Sequence, residues 1–387
     1  MRRRATAPVP RAPRAPLVAA ALLALLTLAA CAGTPPADDT RPAAPRTVTP
    51  VQGCGPAART DPADLTPGRT PARCSPGAPA PRPLDRRREL TVVSGTLGAE
   101  YAAPLVTAVR RGEFARENLK VTLKVLPTPD ALPLLAKGEI DALWAAPEAA
   151  VVHGVSAGFP LRWVAGNYSP ARGSRSGLWV RLRDGESARR VTMEDRTLGT
   201  MIGKGSVIAY PMGRTLARHG GALDRIRYQQ LGTADVLTAL RNGGVDAAWL
   251  LDPVWRTLDG DRDYAYLGGQ PRGEPLGGLL FGPGLLQDDR AAGVALVRAY
   301  IRTVNTYFAG DYKADRAFTA ELARLLDTDP AVLAATPSLR MDWEIRSGTT
   351  GRLQRAYRAQ GVLTGDPLPE RRLVDRSLYG EAVGRRP

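Results

Sequence analysis

One short pattern occurs twice in this chain and constrains its fold more than any other feature. Residues 135–147 read LAKGEIDALWAAP and residues 240–253 read LRNGGVDAAWLLDP, so Gly, Asp, Ala and Trp recur at matching positions. The copies lie about a hundred residues apart, which is far longer than the period of a solenoid repeat. We therefore expect them to occupy equivalent points in two similar lobes.

Each copy predicts the same local structure. An amphipathic run ends at Gly138 or Gly243, which suits a left-handed helix C-cap, and the apolar run around the Trp is typical of a buried strand. In open α/β sheets, ligands bind outside the carboxyl ends of the strands. The pattern leaves open whether Trp144 and Trp249 line such a pocket or are ordinary core residues.

Residues 1–30 have the features of a lipoprotein signal peptide. An Arg-rich start precedes an apolar run at 17–28, and Leu-Ala-Ala-Cys at 28–31 resembles a lipobox. The apolar run is too short to span a bilayer. We therefore expect a protein that is exported and anchored on the outer face of the cell membrane by lipid on Cys31. An ordinary signal peptide with an unrelated Cys is the alternative.

Residues 31–88 are rich in Pro and almost lack aliphatic periodicity, which predicts a lipid-anchored, disordered tether. The tether contains Cys54 and Cys74, the two Cys that remain besides Cys31. An oxidising exterior permits a disulfide between them, and two free thiols are the alternative.

The formal net charge is +15, with a pI near 10.3. Such a charge is compatible with nucleic-acid binding. However, five of the Arg residues lie in the signal peptide, and the others are dispersed without interleaved aromatic residues. We therefore expect no nucleic-acid partner, and a basic surface that faces anionic lipid head groups.

Strand and helix signals alternate from residue 89 onward, which predicts an α/β fold with parallel sheets and helices on both faces. A strand at 177–183 is placed at the crossing into the second lobe, and one at 276–281 returns to the first. Lobe 1 then comprises 89–180 and 275–387, including a helical C-terminal tail. Lobe 2 comprises 181–274 and is inserted in lobe 1, so the two crossings form a hinge.

Residues 198–206, LGTMIGKGS, nearly match a phosphate-binding P-loop. The spacing of the glycines is one residue short and Gly205 stands where Ser or Thr is needed, so we reject nucleotide hydrolysis. Lys204, Gly205 and Ser206 would open a helix predicted over 206–219, where amides, a hydroxyl and an ammonium favour an anion. The alternative is that Ser206 is an ordinary N-cap and Lys204 is solvated.

Polar and aromatic residues also follow the predicted strands in both lobes. Asp252 either accepts a hydrogen bond from a ligand amine or caps a helix that starts at Pro253. The full set of candidate ligand-binding residues is Gly95, Thr96, Tyr101, Trp144, Glu148, Asn167, Tyr168, Lys204, Gly205, Ser206, Trp249 and Asp252.

The sequence offers little support for catalysis. The two His residues, His153 and His219, lie on predicted helices, which leaves no metal cluster and little basis for a Ser-His triad. Residues 173–177, GSRSG, superficially suggest a nucleophile elbow but have Arg at the centre. We expect neither an enzyme nor a bound cofactor or metal.

The order of these motifs resembles the periplasmic-type solute-binding proteins of ABC importers. The segments LAKGEIDALWAAPE, GKGS and ADVLTALRNGGVDAAWLLDP carry the resemblance, which covers residues 89–382. The chain is most similar to the sulfonate, nitrate and taurine group, which shares its fold with thiamine-pyrimidine precursor binders. This implies a two-lobed type II periplasmic-binding-protein fold, ligand capture by lobe closure, and delivery to a permease with its ATPase subunit. We expect the protein to be a monomer.

The resemblance also implies roles for residues. The turn from Gly203 to Ser206 matches the family's anion-contacting helix start, and Gly95–Thr96 and Trp144–Glu148 match its first-lobe contacts. The expected ligand is a small organic anion, such as an alkanesulfonate, taurine or nitrate. The alternatives are a thiamine-precursor pyrimidine or similar heteroaromatic, a ligand-sensing lipoprotein without transport, and an enzyme that shares the fold.

Overall fold

The computed structural model describes residues 61–67, 79 and 81–383, apart from the side chains of Thr233 and Ala234. The predicted signal peptide, Cys31, Cys54 and Cys74 lie outside the described residues. No helix within the described ranges is long and apolar enough to cross a membrane.

Strands and helices alternate along the first two thirds of the described chain. The strands are β1 (Arg88–Ser94), β2 (Leu119–Val125), β3 (Ala142–Ala145), β4 (Arg162–Gly166), β5 (Tyr168–Ser169), β6 (Gly177–Arg181), β7 (Thr197–Thr200), β8 (Arg227–Gln230), β9 (Ala247–Leu250), β10 (Tyr264–Gly268), β11 (Gly278–Phe281) and β12 (Arg340–Met341). The helices are α1 (Ala103–Arg110), α2 (Thr128–Lys137), α3 (Ala149–Ser156), α4 (Ala209–Arg218), α5 (Thr233–Arg241), α6 (Arg290–Tyr307), α7 (Arg316–Leu325), α8 (Pro330–Ala334), α9 (Thr349–Ala359) and α10 (Ser377–Ala382).

Two five-stranded sheets form the centres of two lobes, and they have equivalent strand orders. The first is β2-β1-β3-β11-β4 and the second is β8-β7-β9-β6-β10. In each sheet the first three strands are parallel, and the strand that crosses from the other lobe, β11 or β6, is antiparallel to both neighbours. The two-lobed α/β fold is confirmed. The prediction of parallel sheets is wrong for the crossing strands, because each enters its sheet from the opposite end.

Two crossings of the chain join the lobes. β6 already pairs with β9, with Val180 opposite Ala247, so the second sheet begins at Gly177, a few residues before the predicted boundary at 181. The return crossing lies between the end of β10 at Gly268 and the start of β11 at Gly278. Both crossings are short segments, as a hinge between two lobes requires.

The two copies of the repeated pattern occupy equivalent places, and their Asp residues show this most clearly. The side chain of Asp141 accepts a hydrogen bond from the amide of Thr91 at 2.7 Å, and its own amide donates to the Thr91 carbonyl at 3.1 Å. Asp246 makes the same two bonds with Thr197, at 2.8 and 3.0 Å. Each Asp therefore fixes the register of its strand against the neighbouring parallel strand.

The glycine of each copy also has the predicted conformation. Gly138 is the C-cap of α2 with φ 76°, and Gly243 follows α5 with φ 74°. Both values lie in the left-handed region that favours Gly. The glycine thus lets the chain turn at once from the helix into the strand that carries the Trp.

The core of each lobe lies on both faces of its sheet. In lobe 2, Leu178 and Val180 face one apolar cluster and Trp179 faces the other, as the alternation of side chains along a strand requires. In lobe 1, α6 is almost wholly buried and carries Arg302, whose guanidinium bonds Glu113 and Glu117 at 2.7 Å each. Buried charges of this kind are tolerated because they are paired.

Candidate functional site

A cavity of about 360 Å³ lies between the two lobes. Its wall contains residues at the ends of β1, β3 and β4 from lobe 1 and residues around β7 and β9 from lobe 2. This volume is at the lower end of the range typical of small-molecule pockets. A ligand in this cavity would contact both lobes.

The structure brings most of the predicted site residues to this cavity. Those that line it are Gly95, Tyr101, Trp144, Glu148, Asn167, Tyr168, Trp249 and Asp252. Those outside its lining are Thr96, Lys204, Gly205 and Ser206.

The tryptophans of the two repeats line this cavity from opposite lobes. Trp144 is 1% exposed and Trp249 is 2% exposed, and they pair in register with Ser94 and Thr200, the last residues of β1 and β7. Neither indole N–H has a hydrogen-bond partner in the described part of the chain. Buried Trp N–H groups usually have a partner, so these two unpaired donors are unusual.

Two tyrosines add flat apolar surface and hydroxyl groups. Tyr101 lies in a short 3₁₀ turn and Tyr168 in β5, and their ring centres are 6.3 Å apart with an interplanar angle of 19°. Burial raises the pKa of both hydroxyls above the usual value. They therefore stay protonated at neutral pH and can donate hydrogen bonds.

Glu148 supplies a carboxyl group to the cavity from the start of α3. It occupies the N-cap position, yet its side chain does not cap the helix, and no partner for the carboxyl occurs among the described residues. Burial raises the pKa of Glu148 to about 7. The Glu148 carboxyl is thus present in both its neutral and its charged form near physiological pH.

Asp252 is the carboxylate that lobe 2 contributes. Oδ2 accepts hydrogen bonds from the hydroxyls of Ser176, at 2.6 Å, and Ser174, at 3.4 Å, while Oδ1 accepts from the indole of Trp255. The 3₁₀ segment that follows has no side-chain cap, so the helix-capping alternative for Asp252 is wrong. The carboxylate is oriented instead by the segment that joins the lobes.

Five polar residues of the cavity were not predicted from the sequence, namely Glu100, Thr128, Ser174, Ser176 and Gln270. Ser174 and Ser176 lie in the GSRSG segment, whose two hydroxyls were the available signal. Glu100 also lines the cavity and bonds Lys313 Nζ at 2.7 Å and the hydroxyl of Tyr312. Burial raises the pKa of Glu100 although Lys313 opposes this. That pairing joins residues far apart in sequence, so no local pattern predicts it.

The cavity wall is acidic and aromatic. Glu100, Glu148 and Asp252 line it, whereas no Lys, Arg or His is among the described residues of its lining. Within the described residues, no group of three or more His, Cys, Asp or Glu side chains is placed to hold a metal ion. The wall offers acceptors in its carboxyl groups and donors in its indoles and phenols, a combination suited to an aromatic ligand with polar edges.

The Gly-Lys-Gly-Ser turn has a different structural role from the predicted one. Helix α4 begins at Ala209, not at Ser206. The amide of Gly205 donates to Oε1 of Gln360 at 2.9 Å, and its carbonyl accepts from the amide of Ala149 at 2.8 Å. Both backbone groups of Gly205 are therefore engaged in contacts with lobe 1.

The side chains of this turn are also directed away from the cavity. Lys204 is exposed, with its ammonium 5.8 Å from the ring centre of Tyr228. The hydroxyl of Ser206 is buried without a hydrogen-bond partner among the described residues, so it is not an N-cap. Only the neighbouring Ile202, Val207 and Ile208 reach the cavity wall, and they contribute apolar surface.

Comparison with known proteins identifies the architecture. Residues 99–265 match the family model described as NMT1/THI5 like. The alkanesulfonate-binding protein SsuA from Xanthomonas axonopodis pv. citri is 20% identical over 77% of this chain and 99% of its own, with a TM-score of 0.53. The aliphatic sulphonate-binding protein SsuA from Escherichia coli is 16% identical over 74% of this chain and 92% of its own, with a TM-score of 0.56.

A third similar structure binds a different anion. The periplasmic nitrate-binding protein NrtA from Synechocystis PCC 6803 is 11% identical over 78% of this chain and 89% of its own, with a TM-score of 0.52. No curated protein matches this sequence significantly. Residues 99–265 thus match the NMT1/THI5 like family model, and the described body has the fold of the periplasmic sulfonate- and nitrate-binding proteins.

Proposed function

We propose that the protein is the extracytoplasmic solute-binding component of an ABC importer. We further propose that its ligand is a flat heteroaromatic molecule with amino or other donor groups, similar to a thiamine-precursor pyrimidine. The observation that carries this proposal is the lining of the interlobe cavity, with two unpaired indole N–H groups, two carboxyl groups from opposite lobes and no basic side chain among the described residues.

The carboxyl groups determine the preferred charge of the ligand. Glu148 and Asp252 approach the cavity from different lobes, and Glu148 has no partner in the described chain. A sulfonate or nitrate would be repelled by these groups and would find no cation to bind. An amino group or a protonated ring nitrogen would instead donate to them in charge-assisted hydrogen bonds.

The aromatic residues determine the preferred shape. Trp144, Trp249, Tyr101 and Tyr168 are the aromatic residues among the described residues that line the cavity. Ring stacking adds about 0.5–1.5 kcal/mol per aromatic pair beyond the burial of area. The indole N–H groups can donate to ring nitrogens of the ligand, which would otherwise lose their hydrogen bonds to water.

The sequence supports the cellular setting of this function. The lipobox-like residues at 28–31 and the Pro-rich tether suit a monomer that is held at the membrane by lipid on Cys31 and delivers its ligand to a permease and ATPase. We propose that the protein binds its ligand and does not catalyse a reaction, because the donors, acceptors and aromatic rings of the cavity are sufficient for binding. A sensing role without transport would use the same cavity and differs only in the partner.

A thermal-shift screen tests the ligand class. The probes are 4-amino-5-hydroxymethyl-2-methylpyrimidine, cytosine, taurine, ethanesulfonate and nitrate. A ligand at about 100 times its Kd adds roughly 2.7 kcal/mol to the free energy of unfolding, which gives a clear rise in Tm. We expect the rise with the amino-substituted heteroaromatics. A rise with ethanesulfonate or nitrate alone would contradict the proposed ligand class while preserving the binding role.

A further inference from the structure

A second, larger groove of about 1090 Å³ lies beside the segments that join the lobes. Helices α4 and α9 form its walls together with those segments. Six arginines line it, namely Arg172, Arg214, Arg218, Arg272, Arg352 and Arg355. Among the described residues of its lining, Glu274 is the single acidic side chain.

Glu274 neutralises only one of these arginines. Its Oε1 accepts from Arg352 Nη2 at 2.5 Å and from the hydroxyl of Thr349 at 2.8 Å, and its Oε2 accepts from Tyr210 at 3.1 Å. The other five arginines have no carboxylate partner in the described chain, and all five are exposed to the groove or its rim. The groove thus carries several unpaired positive charges.

The unpaired arginines of the groove differ from the buried arginines of the body. The buried arginines of the body are paired, as Arg302 is with Glu113 and Glu117, and as Arg346 is with Asp342 at 2.6 Å. Concentrated like charges raise the electrostatic energy of the folded protein unless a counter-charge binds. The groove therefore has the composition of a site for a multivalent anion.

The arrangement of the arginines suits phosphate groups. Arg214 and Arg218 are one turn apart on α4 in lobe 2, while Arg352 and Arg355 are three residues apart on α9 in lobe 1. Such spacings place side chains on the same face of a helix. The planar guanidinium fork binds two phosphate oxygens at once, which an ammonium cannot do.

We propose that this groove binds two or more phosphate groups at once. The ligand would contact both lobes, because the guanidinium groups come from α4, α9 and the joining segments. Leu65 and Pro67 also line the groove, so the described segment 61–67, which lies within the predicted tether, lies beside it. The same chemistry is offered by anionic phospholipid head groups at a membrane and by soluble polyphosphates.

Two probes distinguish these sources when used with the full chain. Binding of inorganic tripolyphosphate is measured by calorimetric titration. Membrane binding is measured by co-sedimentation with vesicles of phosphatidylglycerol and phosphatidylcholine in equal parts, and pure phosphatidylcholine vesicles are the reference. The test variant is Arg214→Gln/Arg218→Gln/Arg355→Gln. The control variant, Arg189→Gln/Arg190→Gln/Arg225→Gln, removes equal charge at exposed positions outside both cavities.

We expect the groove variant to bind at least one probe about tenfold more weakly or worse, and the control variant to stay within about twofold of the unmodified protein. Tripolyphosphate binding identifies a soluble ligand, and vesicle binding alone identifies the membrane. Both variants should keep the original Tm, because none of these arginines has a carboxylate partner to lose. Equal losses in the two variants, or no binding of either probe to the unmodified protein, would overturn the proposal.

Discussion

Trp144 and Trp249 line one cavity, one from each lobe, and neither indole nitrogen has a hydrogen-bond partner among the described residues. The two residues are equivalent in the repeated sequence pattern and equivalent in their sheets. A buried donor without a partner costs about 1–3 kcal/mol. A ligand acceptor that reaches either indole would recover part of that cost on binding.

Replacement of either tryptophan by Phe should therefore weaken ligand binding. Trp144→Phe and Trp249→Phe keep an aromatic ring but remove the donor, so we expect the Kd to rise about three- to tenfold for each, from the loss of one net hydrogen bond. Calorimetric titration of the heteroaromatic ligand found in the screen measures this change.

Trp163→Phe is the matched control for these variants. The Trp163 indole donates to the carbonyl of Ala165 at 2.8 Å and lies outside the cavity. The control should lower the free energy of unfolding by about 1 kcal/mol more than the cavity variants do, because it also breaks a hydrogen bond. It should leave the Kd unchanged, and an equal effect of all three variants on the Kd would exclude a direct role for the two indoles.

Glu148 should make ligand affinity depend on pH. Because burial raises its pKa to about 7, the carboxyl is mostly neutral below that pH and charged above it. Donor groups of the ligand prefer the charged form. The ratio of affinities of the unmodified protein and Glu148→Gln should therefore rise as the pH increases through 7. Calorimetric titrations between pH 5.5 and 8.5 measure this ratio. A constant ratio would show that ligand affinity does not depend on the protonation of Glu148.

Gly205 should matter for contact between the lobes. It has φ +81°, and a Cβ there would lie 3.0 Å from the Cβ of Ala149 and 3.0 Å from Cγ1 of Val362, both in lobe 1. Gly205→Ala should lower the free energy of unfolding by more than the roughly 1–2 kcal/mol of left-handed strain alone, and should weaken ligand binding several-fold.

Gly185→Ala is the control variant, because it introduces backbone strain without changing the contact between the lobes. Gly185 has φ +78°, and a Cβ at this position would have no atom within 4 Å, so its substitution brings the strain without the collision. Its Kd should equal that of the unmodified protein. If the two glycine variants bind equally well, the contact of Gly205 with lobe 1 has no part in ligand capture.

Lys204→Ala should have little effect on the ligand. The ammonium is exposed beside Tyr228 and lies outside the cavity lining, so we expect the Kd to change less than about twofold. This reverses the expectation from the sequence, which placed an anion at the turn from Gly203 to Ser206. A tenfold loss, measured by the same titration, would restore the anion interpretation.

The repeated pattern made much of the fold predictable, because its residues act locally. A Gly in the left-handed conformation ends a helix, an Asp accepts a hydrogen bond from the neighbouring strand, and a Trp lies in a pocket wall where a strand ends. Each of these structures depends on only a few neighbouring residues. Gly138 has the left-handed conformation that its position in the sequence indicates, whereas the sequence left open whether Trp144 lines a pocket and assigned no role to Asp141.

The remaining parts of the site depend on contacts between distant residues. The amide of Gly205 is engaged by Gln360, and Glu100 is paired with Lys313. No local pattern shows these pairings, so the sequence alone assigns the Gly-Lys-Gly-Ser turn to a ligand instead of to the opposite lobe. The orientation of Asp252 by Ser174 and Ser176 likewise appears only when the first joining segment is brought against the end of β9.

Calorimetric titration with a matched pair of ligands tests the proposed specificity of the cavity. 4-Amino-2-methylpyrimidine and 2-methylpyrimidine differ by the amino group that would donate to Glu148 or Asp252, and ethanesulfonate represents the anions. The account predicts that loss of the amino group weakens binding about tenfold or more, since a hydrogen bond to a charged group contributes roughly 1.5–3 kcal/mol, and that ethanesulfonate does not bind. Tight binding of ethanesulfonate, with equal or absent binding of the two pyrimidines, would contradict it.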